Sequence, residues 1–471
     1  MKKVFASILL IVGLSFSVQA ATRNWIGSTD TNFATAANWN IGFVSGDVMS
    51  FTNAGTSGTT LNNNLASLIN VAGITFASNT AQSAYTINGN AITLGGNITV
   101  SAGVTNGQVI NLPMTLSAAR TATIRDGATL TLGGPVSGAF GFTKATGAGL
   151  GGTLILTGTN TFTGDLTLGT GLDIVSSDEN MGAGTNINSV QNAKLTTTAT
   201  FATSKTMTLS SNGANQDINP YAGTTLTLNG AITGGNAGAT MRLGGAGKII
   251  LAASNNYGAT TTILSDVTLS GAGTIGTNNL SLNSGTLNLG GKSQTVGALS
   301  LIGTSSLLTN GNITAASILV NNSSGNAIIS ANLHGAAVTF TKTNNGIATL
   351  SGVNDFTGAT AVSGGTLIAG GDSALGSSNI TVAAGATLTL TNGVLNNYIS
   401  DTATLILTSG SILNLSFNGR DTISGLSLNG APLAKGVYDA TALTSGGVTC
   451  TGSGSLKVGR DVLRLISITS P

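Results

Sequence analysis

The chain has 471 residues, of which only 7% are charged, and its formal net charge at pH 7 is +2. Because a typical globular domain carries about 25% charged residues, the composition excludes a basic nucleic-acid-binding surface and electrostatic binding to anionic membranes. Glycine is abundant, with 68 residues, and proline is scarce, with 5, while the mean hydropathy of +0.33 excludes a typical disordered chain.

The first element in chain order is an amino-terminal export signal. Lys2 and Lys3 precede an apolar run that reaches Val18, and Ala20 closes the segment. This pattern is typical of a cleaved secretory signal, so residues 1–20 are predicted to be a signal peptide; an uncleaved anchor is the alternative. Cleavage leaves 15 basic and 15 acidic residues, hence a neutral mature chain. We therefore expect a secreted protein, extracellular or at the cell surface, with no transmembrane segment after cleavage.

Residues 21–108 are predicted to form an N-terminal cap and the first coils of a repetitive structure. Both tryptophans of the chain, Trp25 and Trp39, lie close together here. The open end of a stacked repeat structure needs a cover for its hydrophobic cross-section, and two large aromatic residues can supply it. A platform on which sugar rings stack is the alternative.

Residues 109–400 contain many short strands separated by turns rich in glycine, asparagine and serine. In the segment 152–169, Leu154 and Leu156 alternate with smaller residues, a Gly-Thr-Asn break follows, and the alternation resumes at Phe162. This period of two predicts a strand, a turn and a second strand. Since the mature chain has no helical period, the fold class is predicted to be all-β.

The same pattern occurs three times, at about residues 140–170, 240–270 and 340–390. The aligned positions hold a leucine, an asparagine and an aromatic residue: Leu156, Leu251 and Leu350; Asn160, Asn255 and Asn354; Phe162, Tyr257 and Phe356. Successive leucines are 95 and 99 residues apart, which indicates duplication of a unit of several coils.

These residues resemble the autotransporter-associated β-strand repeat, also called the passenger-associated transport repeat, of bacterial secreted proteins. The third copy matches best and continues through the segment 363–367, whereas the middle copy is degenerate, with Ala252 and Ala253 in the turn. The resemblance implies a right-handed parallel β-helix that is exported from the cell. It implies no catalytic site, because none is defined for the repeat.

Stacking of coils explains the composition. In a parallel solenoid each inward side chain lies on its counterpart about 4.8 Å away, so small aliphatic residues stack well and columns of like charge are unfavourable. Coils of about 20 to 25 residues predict about 18 to 22 coils and a rod of about 90 to 100 Å.

Residues 401–459 are predicted to form a small polar C-terminal β module that caps the solenoid, and residues 460–471 a short tail. The sequence ends without the alternating segments of an autotransporter membrane barrel. We therefore expect the protein to be released, or to be held at the surface by another component.

Few residues of the chain could take part in catalysis or metal binding. Cys450 is the single cysteine, so no internal disulfide is possible and a buried thiol is expected. His334 is the single histidine, and a turn position is favoured because no Gly-x-Ser-x-Gly elbow surrounds any serine. The adjacent acids Asp178 and Glu179 are candidates for polysaccharide cleavage. Asp372 takes the same place in the third copy, which favours turn geometry, in which Asp bonds its own backbone.

Two lysines recur before the repeat strand. Lys144 and Lys342 each follow Phe-Thr and are expected to face solvent or to bond turns. Calcium-binding nonapeptides and phosphate-binding loops are not found in the sequence, so no metal, cofactor or catalytic residue is predicted.

The sequence therefore predicts an exported, non-enzymatic structural or adhesin-like β-helix protein. Its long flanks, lined by threonine and asparagine, are expected to contact glycans or surface proteins, and no nucleic acid. One alternative is a carbohydrate-active β-helix enzyme of the polysaccharide lyase or glycosidase type. The other is a passenger fragment that needs a separate translocator.

Overall fold

The computed structural model describes residues 20–52, 55–78, 83–210, 213–444 and 446–459. They form an all-β parallel solenoid of about 18 turns with 3% helix, which confirms the predicted fold class. At about 4.8 Å per turn the stack is about 85 Å long. The predicted signal peptide, apart from Ala20, and the predicted tail lie outside the described residues.

One ladder of strands extends along nearly the whole solenoid, and we call it the first ladder. Its strands, in stacking order, are Thr60–Asn63, Thr86–Gly89, Gln108–Ile110, Thr129–Leu132, Thr153–Leu156, Gly171–Val175, Ala193–Thr197, Asn215–Pro220, Thr240–Leu243, Thr260–Ile263, Leu280–Leu282, Ala298–Leu301, Ser317–Val320, Thr339–Lys342, Thr360–Val362, Ile380–Val382, Thr404–Leu407, Gly425–Leu428 and Ala431–Pro432. All pairs are parallel except the last.

Two ladders complete the amino-terminal half. The second ladder comprises Thr22–Trp25, Val48–Phe51, Gly73–Phe76, Ile98–Val100, Arg120–Ile124, Phe142–Lys144, Leu166–Leu168, Asn186–Ser189, Thr206–Leu209 and Ile232–Gly234. The third ladder comprises Ile69–Val71, Ile92–Leu94, Met114–Leu116 and Val136–Ser137.

A fourth ladder runs through the carboxyl-terminal half. It comprises Phe201–Thr203, Thr225–Leu228, Lys248–Leu251, Asp266–Leu269, Thr286–Thr295, Leu307–Thr314, Asn326–Ile329, Asn332–His334, Ile347–Leu350, Thr366–Ala369, Thr387–Thr391, Ile412–Ser416 and Thr449–Gly452. Short helices are Ala36–Asn38 and Asp178–Met181, both of the 3-10 type, and the α-helix Ala440–Thr444. Within the described ranges, no helix has the length and hydropathy needed to span a membrane.

The predicted repeats each fold as strand, turn and strand, which confirms the pattern analysis. The strand pairs are Thr153–Leu156 with Leu166–Leu168, Lys248–Leu251 with Thr260–Ile263, and Ile347–Leu350 with Thr360–Val362. The first copy enters its turn from the first ladder, whereas the other two enter from the fourth ladder. The motif therefore fixes a local turn and not a particular face of the solenoid.

The asparagine of each repeat bonds both neighbouring turns of the solenoid. Its Oδ1 accepts the peptide N–H of a residue one turn earlier, and its Nδ2 donates to a peptide carbonyl one turn later. The N–H donors are Val136, Ile232 and Leu333, and the carbonyl acceptors are Asn180, Thr274 and Ala374, at 2.6 to 2.8 Å. All three asparagines are buried, so each satisfies two main-chain groups that water cannot reach.

Aromatic residues close the amino-terminal end. Trp25 and Trp39 are 0% and 2% exposed, and their rings meet edge to face with centroids 5.2 Å apart. Phe33 and Phe51 complete the cluster, and Trp39 Nε1 donates to the Phe33 carbonyl at 2.9 Å. The predicted cap is confirmed. The sugar-stacking alternative is wrong, because neither tryptophan presents a ring face to solvent.

The carboxyl-terminal end departs from the parallel stack. Strand Gly436–Tyr438 pairs antiparallel with Ser455–Val458, and Leu413 pairs with Cys450, 37 residues away, so an extra segment is inserted in this turn. Cys450 is 8% exposed, and burial raises the pKa of its thiol to about 11. The prediction of a buried thiol is confirmed.

Candidate ligand groove

A surface groove of about 570 Å³ lies across consecutive strands of the first ladder. Among the residues that line it are three charged side chains, an amide, an aromatic ring and an aliphatic side chain: Lys194, Asp217, Arg242, Asn219, Tyr221 and Leu264. We call this surface the first-ladder groove. Most of the residues that line the groove lie on or next to hydrogen-bonded strands, so their main chain is rigid.

The charges of the groove form a column across three turns. The register places Lys194 opposite Asp217, and Asp217 opposite Arg242. Arg242 Nη1 donates to Asp217 Oδ2 at 3.5 Å, and the two side chains are 40% and 10% exposed. Because a guanidinium has five N–H donors, this one long contact leaves donors that can bind a ligand.

Asp217 lies deeper than the two cations. Burial raises the pKa of its carboxyl, and the charges of Arg242 and Lys194 oppose that effect. Its Oδ1 has no hydrogen-bond partner among the described residues. The acid therefore anchors Arg242 from the floor of the groove, while the cations stand at the rim.

Tyr221 presents an aromatic ring at the end of strand Asn215–Pro220. The residue is 51% exposed, yet its main chain is fixed, because its N–H donates to the Thr197 carbonyl at 2.9 Å and its carbonyl accepts the Thr224 N–H at 3.1 Å. An exposed ring on a rigid backbone is suited to stacking against a flat ligand.

The groove continues toward the amino-terminal side of the ladder. A neighbouring hollow of about 180 Å³ shares Lys194, Asp217 and Arg242 with it. A further hollow of about 610 Å³ shares Asn192 and Asn215 with that neighbour. Together they offer a long, shallow surface for an extended ligand.

The acids selected from the sequence lie elsewhere. Asp178 and Glu179 begin the short helix Asp178–Met181, which Ser177 caps, and neither lines the hollows described above. Asp372 is expected from the sequence to bond the backbone of its own turn, and the structure shows other partners. It accepts N–H groups at 2.9 Å from Val394, Leu395 and Asn397, the first 22 residues later, so it fixes the loop of the next turn. Burial opposes these bonds, but together they lower the pKa of Asp372.

His334 ends a strand, so the prediction of a turn position is wrong. Its Nδ1 is 2.8 Å from Asp355 Oδ1, and its Nε2 is 3.3 Å from Asn312 Oδ1. Both ring nitrogens thus contact partners other than serine.

Asp355 and Asp401 line a nearby hollow of about 300 Å³. The described residues contain no cluster of three or more acidic, histidine or cysteine side chains arranged to hold a metal.

Lys144 and Lys342 do not face solvent, because both side chains are fully buried. Lys144 Nζ donates to the Leu172 carbonyl at 2.9 Å and lies 3.5 Å from Asp173 Oδ1. Lys342 Nζ donates to the carbonyls of the turn that follows it, including that of Asn344 at 2.9 Å. The expectation of solvent exposure is wrong, and the alternative of turn bonding is confirmed for Lys342.

Pattern reasoning did not identify the groove. The available signal was the spacing of Lys194, Asp217 and Arg242, which are 23 and 25 residues apart, within the coil length expected from the sequence. Charges that recur at the coil length in a chain poor in charge lie on one face of a solenoid.

The described residues define a parallel β-solenoid scaffold with a surface groove. Residues 151–172 and 340–369 match the family model of the passenger-associated-transport-repeat, which confirms the resemblance drawn from the motif. The chain therefore contains two segments that match this repeat family, and they make up a small part of its length. The predicted middle copy is not within the matched regions, although its asparagine makes the same bonds. No curated protein and no solved structure matches the chain.

Proposed function

We propose that the protein is an exported, passenger-like scaffold that contacts glycans through its outer faces and performs no catalysis. The first-ladder groove is the observation that carries this proposal. It combines the amide of Asn219, on strand Asn215–Pro220, with the exposed ring of Tyr221 directly after that strand; these groups can contact the hydroxyl groups and the face of a sugar ring.

The architecture supports a binding role. Every strand of the groove is hydrogen-bonded to the turn before it and the turn after it, so the contact residues are positioned before a ligand arrives. A preorganised surface loses little conformational freedom on binding. The solenoid therefore acts as a rigid display of shallow sites along its length.

An extracellular or cell-surface location fits both the repeat family and the predicted signal peptide. Fractionation of the producing cell tests this location. We expect the mature chain, shortened by 20 residues, outside the cytoplasm; intact precursor retained in the cytoplasm would contradict the proposal.

Glycan binding is tested by screening the mature chain against a panel of oligosaccharides and measuring affinities for those that bind. Tyr221→Ala should weaken binding about three- to tenfold, since it removes the stacking ring. Phe140→Ala is the matched control, because Phe140 is also exposed, at 42%, and lies outside the groove. No binding across the panel, or equal loss in both variants, would contradict the proposal.

The absence of catalysis is tested on polysaccharides. We expect no cleavage of a broad panel by the purified chain. Cleavage that the combined substitution Asp178→Asn and Glu179→Gln abolishes would replace the scaffold with a carbohydrate-active enzyme.

A further inference from the structure

Charge is unusually concentrated in the first-ladder groove. Only 7% of the chain is charged, yet three consecutive turns carry Lys194, Asp217 and Arg242 in one column. Stacked strands are about 4.8 Å apart, so these side chains act on one another and on any ligand that crosses them. The column carries two cations and one acid, a net positive charge.

We infer that the groove selects glycans whose sugars carry carboxylate groups, with Arg242 and Lys194 binding the carboxylate beside a ring stacked on Tyr221. This inference rests on the proposed function, since it names the class of glycan that the groove binds. It assigns a role to each exposed charge of the groove.

The geometry of the arginine favours a carboxylate. Its side chain is 40% exposed, and its guanidinium contacts Asp217 through Nη1 alone, at 3.5 Å, so other N–H donors of the group remain available to a ligand. A guanidinium binds a carboxylate through two parallel N–H···O bonds, which a hydroxyl group cannot accept in the same way. Lys194, two turns away and exposed, adds a second positive charge.

The strand between the cations supplies the contacts to the sugar itself. Alternation along Asn215–Pro220 places Asp217 and Asn219 on the outward face, and Tyr221 follows at the strand end. These three positions extend over about 13 Å, enough for successive units of an extended chain. The amide of Asn219 can donate to and accept from hydroxyl groups, and the ring of Tyr221 can cover a sugar face.

Nucleic acid is a poorer fit to the same column. A nucleic-acid site needs a track of cations that follows many phosphates, whereas this groove has two cations separated by an acid. A ligand with isolated carboxylates on uncharged rings matches that pattern.

The experiment compares oligogalacturonate with its methyl ester, because the two differ at the carboxyl group alone, which esterification leaves uncharged and capped by a methyl group. Calorimetric titration of the mature chain should give an affinity at least about tenfold higher for the free acid, and that preference should fall as salt is raised. Arg242→Gln and Lys194→Gln should each reduce the preference. Arg420→Gln is the control, since Arg420 is exposed and lies outside the groove.

The outcomes separate this inference from the proposed function. Equal affinity for the acid and its ester, or a preference that survives both groove substitutions, would overturn the carboxylate selectivity while glycan binding stands. Failure of the free acid to bind, with neutral glycans still bound, would also overturn it. Failure of every glycan to bind would overturn the proposed function as well. Unchanged circular dichroism and melting temperature of each variant show that a loss is not caused by unfolding.

Discussion

Single buried amide side chains keep the turns of this solenoid in register. Asn160, Asn255 and Asn354 each use an acceptor and a donor at once, toward the preceding and the following turn. A carboxylate lacks the donor and an aliphatic residue lacks both. The chemistry of one side chain thus explains why the motif holds asparagine.

We expect Asn354→Ala to lower the free energy of unfolding by about 2 to 5 kcal/mol, because the N–H of Leu333 and the carbonyl of Ala374 would be buried without partners. Asn188→Ala is the control; its side chain donates to Asp165 and accepts from Asn186 without bonding a main-chain group, and we expect a change below about 0.5 kcal/mol. Urea denaturation measures both. Similar losses in the two variants would show that the bonds between turns contribute little.

A buried acid makes stability depend on pH. Asp421 is 1% exposed, and burial, aided by the charges of Asp401 and Asp372, raises the pKa of its carboxyl to about 8, although the N–H of Ile399 opposes the shift. The folded state therefore keeps a proton that the unfolded state releases near pH 4. It follows that stability falls as the pH rises from about 4 through 8.

Asp421→Asn should remove most of this dependence, since an amide can still accept the Ile399 N–H without ionising. Melting temperatures between pH 5 and pH 9 should decline in the wild type and decline less in the variant, which becomes the more stable protein at pH 9. Asp266→Asn, at an exposed position, should retain the wild-type slope. An unchanged slope in Asp421→Asn would contradict the assignment.

At the scale of elements, one ion pair joins strand Phe142–Lys144 to strand Gly171–Val175 inside the core. The side chains of Lys144 and Asp173 are 0% and 3% exposed. Burial lowers the pKa of Lys144 and raises that of Asp173 to about 7, and their attraction opposes both shifts. Removing both from water is unfavourable, and removing one partner leaves the other uncompensated.

The corresponding position in the third repeat holds Leu367, so the chain itself supplies an apolar replacement for Asp173. Asp173→Leu alone should lower the free energy of unfolding by about 3 to 5 kcal/mol, because a buried cation is left unpaired. Asp173→Leu combined with Lys144→Met should be neutral or stabilising. A double-mutant cycle by denaturation tests the coupling, and additive effects would contradict it.

Aromatic residues of the repeats pack directly on glycines of the next turn. A Cβ at Gly276 would lie 2.6 Å from the Tyr257 ring, whereas a Cβ at Gly385 would meet nothing within 4 Å, although Gly385 has a φ of +76°. Gly276→Ala should therefore destabilise by about 2 to 4 kcal/mol through overpacking, and Gly385→Ala by about 1 kcal/mol through its backbone conformation. Denaturation curves compare them, and a larger loss at Gly385 would reverse this explanation.

The elements could be predicted from the sequence where the pattern is local. Alternation around Leu154 and Leu156 predicts strands, and the repeated asparagine and aromatic positions predict equivalent turns. The burial of Lys144 could not be predicted, because its partners Leu172 and Asp173 lie 28 and 29 residues later and are brought near only by the stacking of turns. The groove was missed for the same reason, since the boundaries of each coil were unknown.

On the scale of the whole molecule, stability comes from continuous ladders and apolar columns, and both are interrupted at the ends. A parallel stack of about 18 turns has an open cross-section and unpaired strand edges at each end. The cluster around Trp25 and Trp39 covers the amino-terminal cross-section. The antiparallel module that contains Gly436–Tyr438 changes the strand direction at the other end.

The cap should therefore control self-association as well as stability. Trp25→Ala removes the ring at the centre of the terminal cluster and should lower the free energy of unfolding by about 3 to 5 kcal/mol. Strand Thr22–Trp25 could then separate and expose the edge of the next strand. Leu299→Ala is the matched control, because Leu299 is fully buried in the middle of the first ladder and its loss creates no new edge. Size-exclusion chromatography with light scattering should show concentration-dependent oligomers for Trp25→Ala and monomers for Leu299→Ala. Equal association of the two variants would mean that general destabilisation, and not the open end of the stack, drives the chains together.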